Sequence, residues 1–267
     1  CVIFVNGRSD NLQQYAEVYR DLYDKVECDI YAIDHRGQGE SQRLEENSYK
    51  GHVDSYDDYA YDLNEFYNKF VSPNNYKKLF IACHSMGGAV TVTWLLNEKV
   101  KPDGIIMTAP FFGEKAPVPS WVGHPLSWIA SVFGFSKSFV PTVGTPHIGP
   151  YSSNKLTKDE DRYEIMCELN RLSDGTPNLV KPTIGWALAS YRAINNIQKE
   201  LRKLKDLNVT IFQAGEEQYV DNDCHVRYKP DTWELICLEG QRHQLWHSED
   251  WSRNKIIEKL AKMIEEN

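Results

Sequence analysis

Over its first 110 positions the chain alternates short apolar runs with stretches whose apolar residues recur at helical spacing. Cys1-Val2-Ile3-Phe4-Val5 reads as a buried strand closed by Asn6-Gly7-Arg8-Ser9. Leu12, Tyr15, Ala16, Tyr19, Leu22, Tyr23 and Val26 then predict a helix with a wet opposite face. Asp29-Ile30-Tyr31-Ala32-Ile33 is the next strand. It opens into Asp34-His35-Arg36-Gly37-Gln38-Gly39-Glu40-Ser41, a loop by its glycine and charge content. Ser55, with Asp58 three positions on, predicts a capped helix whose apolar side is Tyr56, Tyr59, Ala60, Leu63, Phe66, Tyr67 and Phe70. Ser72-Pro73-Asn74-Asn75 breaks it. A strand at 78–83, a buried helix at 86–97 and a strand at 104–108 follow. Strands alternating with helices in this way predict an α/β chain with a doubly wound, mostly parallel sheet.

The alternation fails over residues 111–207. The first part is broken by Pro117, Pro119, Pro125, Pro141, Pro146 and Pro150 and carries Trp121, Trp128, Ile129, Val132, Phe133, Phe135 and Phe139. The second part holds two helix candidates, near 157–170 and 183–204. An insertion of that length between strands predicts a cap over the C-terminal edge of the sheet. Its aromatics either pack it onto the core or line an acyl-chain pocket, with Trp121, Trp128, Phe133 and Phe139 the candidates for that lining. Strands return at 208–213 and 234–238, and a last helix covers about 250–265. The expected division is a core of 1–110 and 208–267 with a cap or lid of 111–207.

Length and composition narrow the classes. The 267 residues suit one large α/β domain, or one domain with a sizeable insertion. A net charge of −8 with scattered Lys and Arg argues against nucleic acid as a partner. No apolar stretch reaches the length of a membrane span. Cys28, Cys83 and Cys237 lie in or beside apolar runs and read as buried thiols; the six cysteines have no close pairing, which leaves the redox compartment open. With no initiator methionine or signal peptide before the first strand, the expectation is a processed or cropped chain, N-terminal strands possibly missing and targeting information removed.

The candidate chemistry centres on His84-Ser85-Met86-Gly87-Gly88, between a strand and a helix. Counted from Cys83 it gives small-x-Ser-x-Gly, the form of a tight turn that lifts a serine hydroxyl out of the backbone beside a helix N-terminus. Such turns also occur as inert caps, so the partners decide. The strand at 208–213 runs into Glu216-Glu217-Gln218-Tyr219-Val220-Asp221, and that at 234–238 into Gly240-Gln241-Arg242-His243. Nucleophile, acid and base therefore leave separate strand ends in that order. His243 is the candidate base; Glu217 and Asp221 both qualify as the acid, with Glu216 behind them. The Met86 and Arg8 amides are candidates for an oxyanion hole, and the Arg8 side chain for an anionic group on the substrate. His243 and His247 lack the further ligand a metal site needs, so no metal and no cofactor are expected.

In these segments the chain resembles α/β-hydrolases of the lysophospholipase L2 and monoacylglycerol lipase group, the serine-aminopeptidase-like hydrolases. Asn6-Gly7-Arg8 resembles the family's oxyanion loop, and Asp34 through Ser41 its signature loop, continued by Gly51-His52-Val53 and Asp57-Asp58-Tyr59. His84 through Gly88 resembles its nucleophile elbow. Ser153-Asn154-Lys155-Leu156-Thr157 and Asp161-Arg162-Tyr163 resemble the lysophospholipase L2 branch, and Gly240 through His243, with Asp250 and Arg253, completes the pattern. The resemblance implies an α/β-hydrolase fold, Ser85 as nucleophile, His243 as base, and Arg8 and Met86 as oxyanion donors. Val220-Asp221-Asn222 sets the register that leaves Glu217 where the family commonly has Asp; Ser248 stands where it often has Glu. It further implies a lysophospholipid or monoacylglycerol substrate, and the cap suggests peripheral membrane contact. A lysophospholipase is the leading expectation, cytoplasmic or membrane-peripheral. Monoacylglycerol lipase, generic carboxylesterase, peptidase and a non-catalytic binding module on the same fold remain alternatives.

Overall fold

The computed structural model describes residues 1–115, 118–141, 149–171 and 181–266; Pro117 and Pro146 lie outside the described residues. In chain order the elements are β1 (Val2–Val5), α1 (Ala16–Lys25), β2 (Ile30–Ile33), β3 (Lys50–Gly51), α2 (Tyr56–Phe66), β4 (Phe80–His84), α3 (Met86–Asn97) and β5 (Gly104–Thr108). Then come α4 (Ser120–Val132), α5 (Glu160–Arg171), β6 (Lys181–Pro182), α6 (Ile184–Glu200), β7 (Val209–Ala214), α7 (Asn222–Tyr228), β8 (Glu234–Leu238) and α8 (Asp250–Glu266).

Six strands form one parallel sheet in the order β2-β1-β4-β5-β7-β8. The sequence explains why both faces are covered. Along β1, Val2 and Phe4 join one apolar cluster while Ile3 and Val5 join the other. Phe80 and Ala82 against Ile81 and Cys83 repeat this on β4, as do Phe212 and Ala214 against Val209 and Ile211 on β7. A strand buried on both sides favours apolar residues on both faces, which is the near-continuous run seen in β1 and β4, while β7 also buries Thr210 and Gln213. One cluster packs under α1 and α8, with Val18, Leu22, Ile256 and Leu260; the other packs under α2, α3 and α6, with Leu63, Trp94 and Ile197.

Strand order reverses between β1 and β4, where consecutive connections depart to opposite sides. Such a switch opens a crevice at the carboxyl ends of its strands. The 6–9 turn and Ser85 stand at those two ends. Ser55 caps α2 with its side chain while the Asp58 carboxylate returns to the Ser55 N–H, the expected capping box.

Three features depart from the sequence reading. Residues 120–132, expected to be broken by proline, form α4 with Pro125 inside it. Gly123 is the buried residue of α4 and lies so close to α6 that an added Cβ would meet Tyr191 Oη at 2.3 Å. Second, β3 and β6 pair as a two-residue parallel sheet that ties the segment before α2 to the one before α6. Third, Cys237 is exposed, not buried, because β8 is an edge strand with one neighbour; Cys28 is half-buried and Cys83 fully buried.

Candidate active site

Ser85 sits between β4 and α3 with φ 49° and ψ −116°, a backbone conformation that residues with a Cβ seldom adopt. Its surroundings hold it there. The Ser85 N–H donates to Thr108 O at 3.0 Å, and Ser85 O accepts from Gly88 N and Phe111 N, each at 2.9 Å. The small residues after it are required by close approach. A Cβ on Gly87 would lie 2.1 Å from Val5 O, and one on Gly88 2.6 Å from Pro110 Cβ. Cys83, where a glycine is more usual in such a turn, is buried with its thiol 3.7 Å from Ile106 O.

His243 leaves the loop after β8 and is 6% exposed. Its Nε2 lies 3.0 Å from Ser85 Oγ and its Nδ1 2.7 Å from Glu217 Oε2. Glu217, in the turn after β7, is itself buried, and its Oε1 accepts the N–H groups of Gln218 (2.8 Å), Tyr219 (2.8 Å) and Val220 (3.3 Å). Burial works against its charge, but the His243 bond and charge and the Tyr219 and Val220 amides hold the carboxyl below its usual range. The acidic side chain is therefore an anion aimed at the imidazole, and its extra methylene, relative to Asp, still reaches Nδ1.

The other candidates have different partners. Asp221 caps α7, accepting from Asp223 N at 3.1 Å, and also accepts from the Cys224 thiol. Glu216 is exposed and pairs with Lys158 at 2.6 Å. His84 is buried behind Ser85 with Nδ1 3.1 Å from Thr108 O, and burial, with His243 and His247 nearby, drives its pKa well below normal; it stays neutral. His247 Nε2 donates to Gln14 O at 2.9 Å and belongs to the packing. Met86 is the first residue of α3, where the N–H has no partner within the helix.

Arg8 is half-buried, with its guanidinium 5.2 Å over the Trp186 ring. Burial lowers its pKa, opposed by Tyr56, Tyr59, Tyr219 and Asp10 around it. Trp186 in turn stacks on Phe111, whose N–H bonds Ser85 O, and Tyr219 lies 5.1 Å from the His243 ring. Phe111, Trp186 and Tyr219 are thus the apolar surfaces beside the serine, and sequence reasoning missed them. Of the four aromatics expected to line a pocket, Trp121 (78% exposed), Trp128 (52%) and Phe133 (74%) face outward, and Phe139 is half-buried between Lys50 and Lys181. Only the position of Trp186 near the capped start of α6 could have flagged it: Thr183 Oγ1 accepts the Trp186 N–H.

Together a hydroxyl, an imidazole and a buried carboxylate are joined in line by bonds of 3.0 and 2.7 Å. Such a chain can remove a proton from the hydroxyl as it attacks a carbonyl and return it to a leaving group.

The chain is similar to several known proteins. Residues 1–250 match the family described as Serine aminopeptidase, S33. Lysophospholipase L2 of Escherichia coli (strain K12) is 33% identical over 271 aligned positions, covering 97% of this chain and 78% of that protein. The monoacylglycerol lipase of Paleococcus ferrophilus superposes with a TM-score of 0.74 at 16% identity, over 98% of this chain and 94% of that one. A soluble variant of monoglyceride lipase from Saccharomyces cerevisiae gives 0.75 at 17% identity, over 99% and 85%.

Proposed function

Since the chain belongs to the serine aminopeptidase S33 family and has the α/β-hydrolase fold, we propose that it is a serine hydrolase of carboxylic esters carrying a single long acyl chain, a lysophospholipase. The observation that carries this is the Ser85–His243–Glu217 chain at the topological switch of the sheet. The similarity to lysophospholipase L2 supports the choice of lipid class.

In this mechanism His243 Nε2 takes the Ser85 proton as Oγ attacks the acyl carbonyl. The Met86 amide at the start of α3 and the Arg8 amide from the turn after β1 stabilise the oxyanion. Glu217 fixes the imidazole with Nδ1–H directed at it and stabilises the imidazolium that forms. His243 then protonates the leaving alcohol, and water releases the fatty acid by the same route.

Residues 111–207 serve as the cap in this reading, and their outer face meets the lipid surface from which the substrate comes. Support comes from α4 and the residues after it. Trp121, Leu126, Trp128, Ile129, Val132, Phe133 and Phe135 are all exposed, and no charged residue lies between Lys115 and Lys137. Clustered exposed aromatics without charge suit a bilayer interface.

The test is a matched panel of initial rates for wild type and Ser85→Ala on lysophosphatidylcholine, lysophosphatidylethanolamine, monoacylglycerol and a short-chain aryl ester. Ser85-dependent turnover that is fastest on the lysophospholipids is the expected result. Preference for monoacylglycerol would keep the mechanism and change the substrate class; turnover confined to the aryl ester would leave a generic esterase.

A further inference from the structure

Resting on the serine-hydrolase reading above, we propose that Asp10 is a positioning residue, whose carboxylate locks the turn carrying the Arg8 amide to the loop carrying His243. Asp10 is 5% exposed in the loop after β1. Its Oδ2 accepts the Gly7 N–H at 3.0 Å and the Tyr15 hydroxyl at 2.7 Å, and its Oδ1 accepts Gln244 Nε2 at 2.8 Å. Every one of these partners is a donor. Burial, with Asp10 beside it, pushes Tyr15 well above its ordinary range, so the phenol keeps its proton. A carboxylic acid here would turn its own O–H toward a donor, and the pocket is therefore built for the anion.

The grip on the turn is close. A Cβ on Gly7 would lie 2.7 Å from Asp10 Oδ2 and 2.8 Å from His84 Cδ2, so this peptide is held between the carboxylate and the residue before Ser85. With the Gly7 N–H directed at Asp10, the orientation of the next amide, that of Arg8, is set. At the other end, Gln244 follows His243 directly; its backbone N–H donates to Leu156 O at 2.7 Å while its side chain reaches Asp10. One side chain thus joins two parts of the site that no strand pairing connects.

Asp10 also carries charge into the site. Arg8 faces it from the same turn, Tyr15 and Tyr19 from the following helical segment, and His243 and His247 from the loop after β8. Burial raises the Asp10 pKa, and the Tyr15 bond, His247, the Gly7 amide and His243 oppose that rise.

The deciding experiment is Asp10→Asn in the full chain, assayed on a soluble short-chain aryl ester against wild type. The substituted amide turns an N–H toward at least one former donor. The expected result is a kcat lower by about 100-fold with KM within about 3-fold. A purely structural role would lower Tm and leave the kcat of the folded protein near that of wild type. A folded variant whose kcat stays within about 3-fold of wild type overturns the proposal. If Asp10→Asn does not fold, Gln244→Met cuts the link from the opposite end. There, kcat lowered by about 10-fold at unchanged KM is expected, and unchanged kcat overturns the proposal. Wild type inactive on every ester would instead defeat the serine-hydrolase reading itself.

Discussion

Two acidic residues four positions apart have quite different surroundings, and that difference makes the assignment of the acid testable. Glu217 is buried, accepts three backbone N–H groups on one oxygen and turns the other to His243. Asp221 caps α7. Glu217→Ala is therefore expected to lower kcat by about 10³- to 10⁴-fold, since the imidazole loses both its orientation and its counter-charge, and to lower Tm, since three backbone N–H groups lose their acceptor. Asp221→Ala should keep kcat within about 3-fold and cost about 1 kcal/mol of stability through the lost cap. Parallel kinetics and urea denaturation on the two variants check this; the reverse order would move the acid to Asp221. The choice was only half legible in the sequence. Both carboxylates sit in one polar turn, and spacing cannot show which of them is turned inward by three backbone amides. Asp10 was illegible for the same reason, since an acid in a polar loop reads as solvated until Tyr15, Gly7 and Gln244 are seen around it.

Among the elements, α4 carries the clearest consequence. Gly123 is its buried residue, and Trp121, Leu126, Trp128, Ile129 and Val132 are exposed. Trp121→Asp combined with Phe133→Asp should reduce co-sedimentation with phospholipid vesicles by at least about 10-fold, while turnover of a soluble aryl ester stays within about 2-fold. Unchanged sedimentation would remove α4 from the membrane-facing role. The sequence did not reveal this helix, because proline at 119 and 125 and the closely set aromatics obscure its period. By contrast, β4 and β5 were legible almost to the residue, since strands buried on both faces are continuous apolar runs bounded by polar turns. The β3–β6 pair was invisible in advance: two residues far apart in sequence carry no local periodicity. The capping box at Ser55 was readable because both of its bonds are local.

At the scale of the whole molecule, buried neutral histidines couple folding to pH. Burial lowers His35 and His225 to about 4 from an ordinary 6.5. Between those values the unfolded chain binds protons that the native chain does not, so stability falls as pH drops from about 6.5 toward about 4. The slope is at most about 1.4 kcal/mol per pH unit for each histidine. Glu217, held below its usual range, acts in the same direction at lower pH: its contribution is present above the unfolded carboxylate pKa and lost as pH falls through the folded value. Urea midpoints measured from pH 7 to pH 4.5 should decline, and His225→Gln should make the decline shallower. A flat profile would mean that these rings take up protons in the native state as readily as in the unfolded chain. His225 shows why such a group anchors the fold: its Nε2 donates to Pro110 O at 2.6 Å while its Nδ1 accepts from Gln213.

The proposed mechanism rests on one hydroxyl, that of Ser85, and its two partners. The most direct measurement is labelling with an active-site fluorophosphonate followed by peptide mass mapping, on wild type, His243→Ala and Glu217→Ala. The account predicts one phosphonylated residue, Ser85, modified rapidly in wild type and at least about 100-fold more slowly in either variant. Labelling at another serine, or a Ser85 that reacts equally fast without His243, would contradict it.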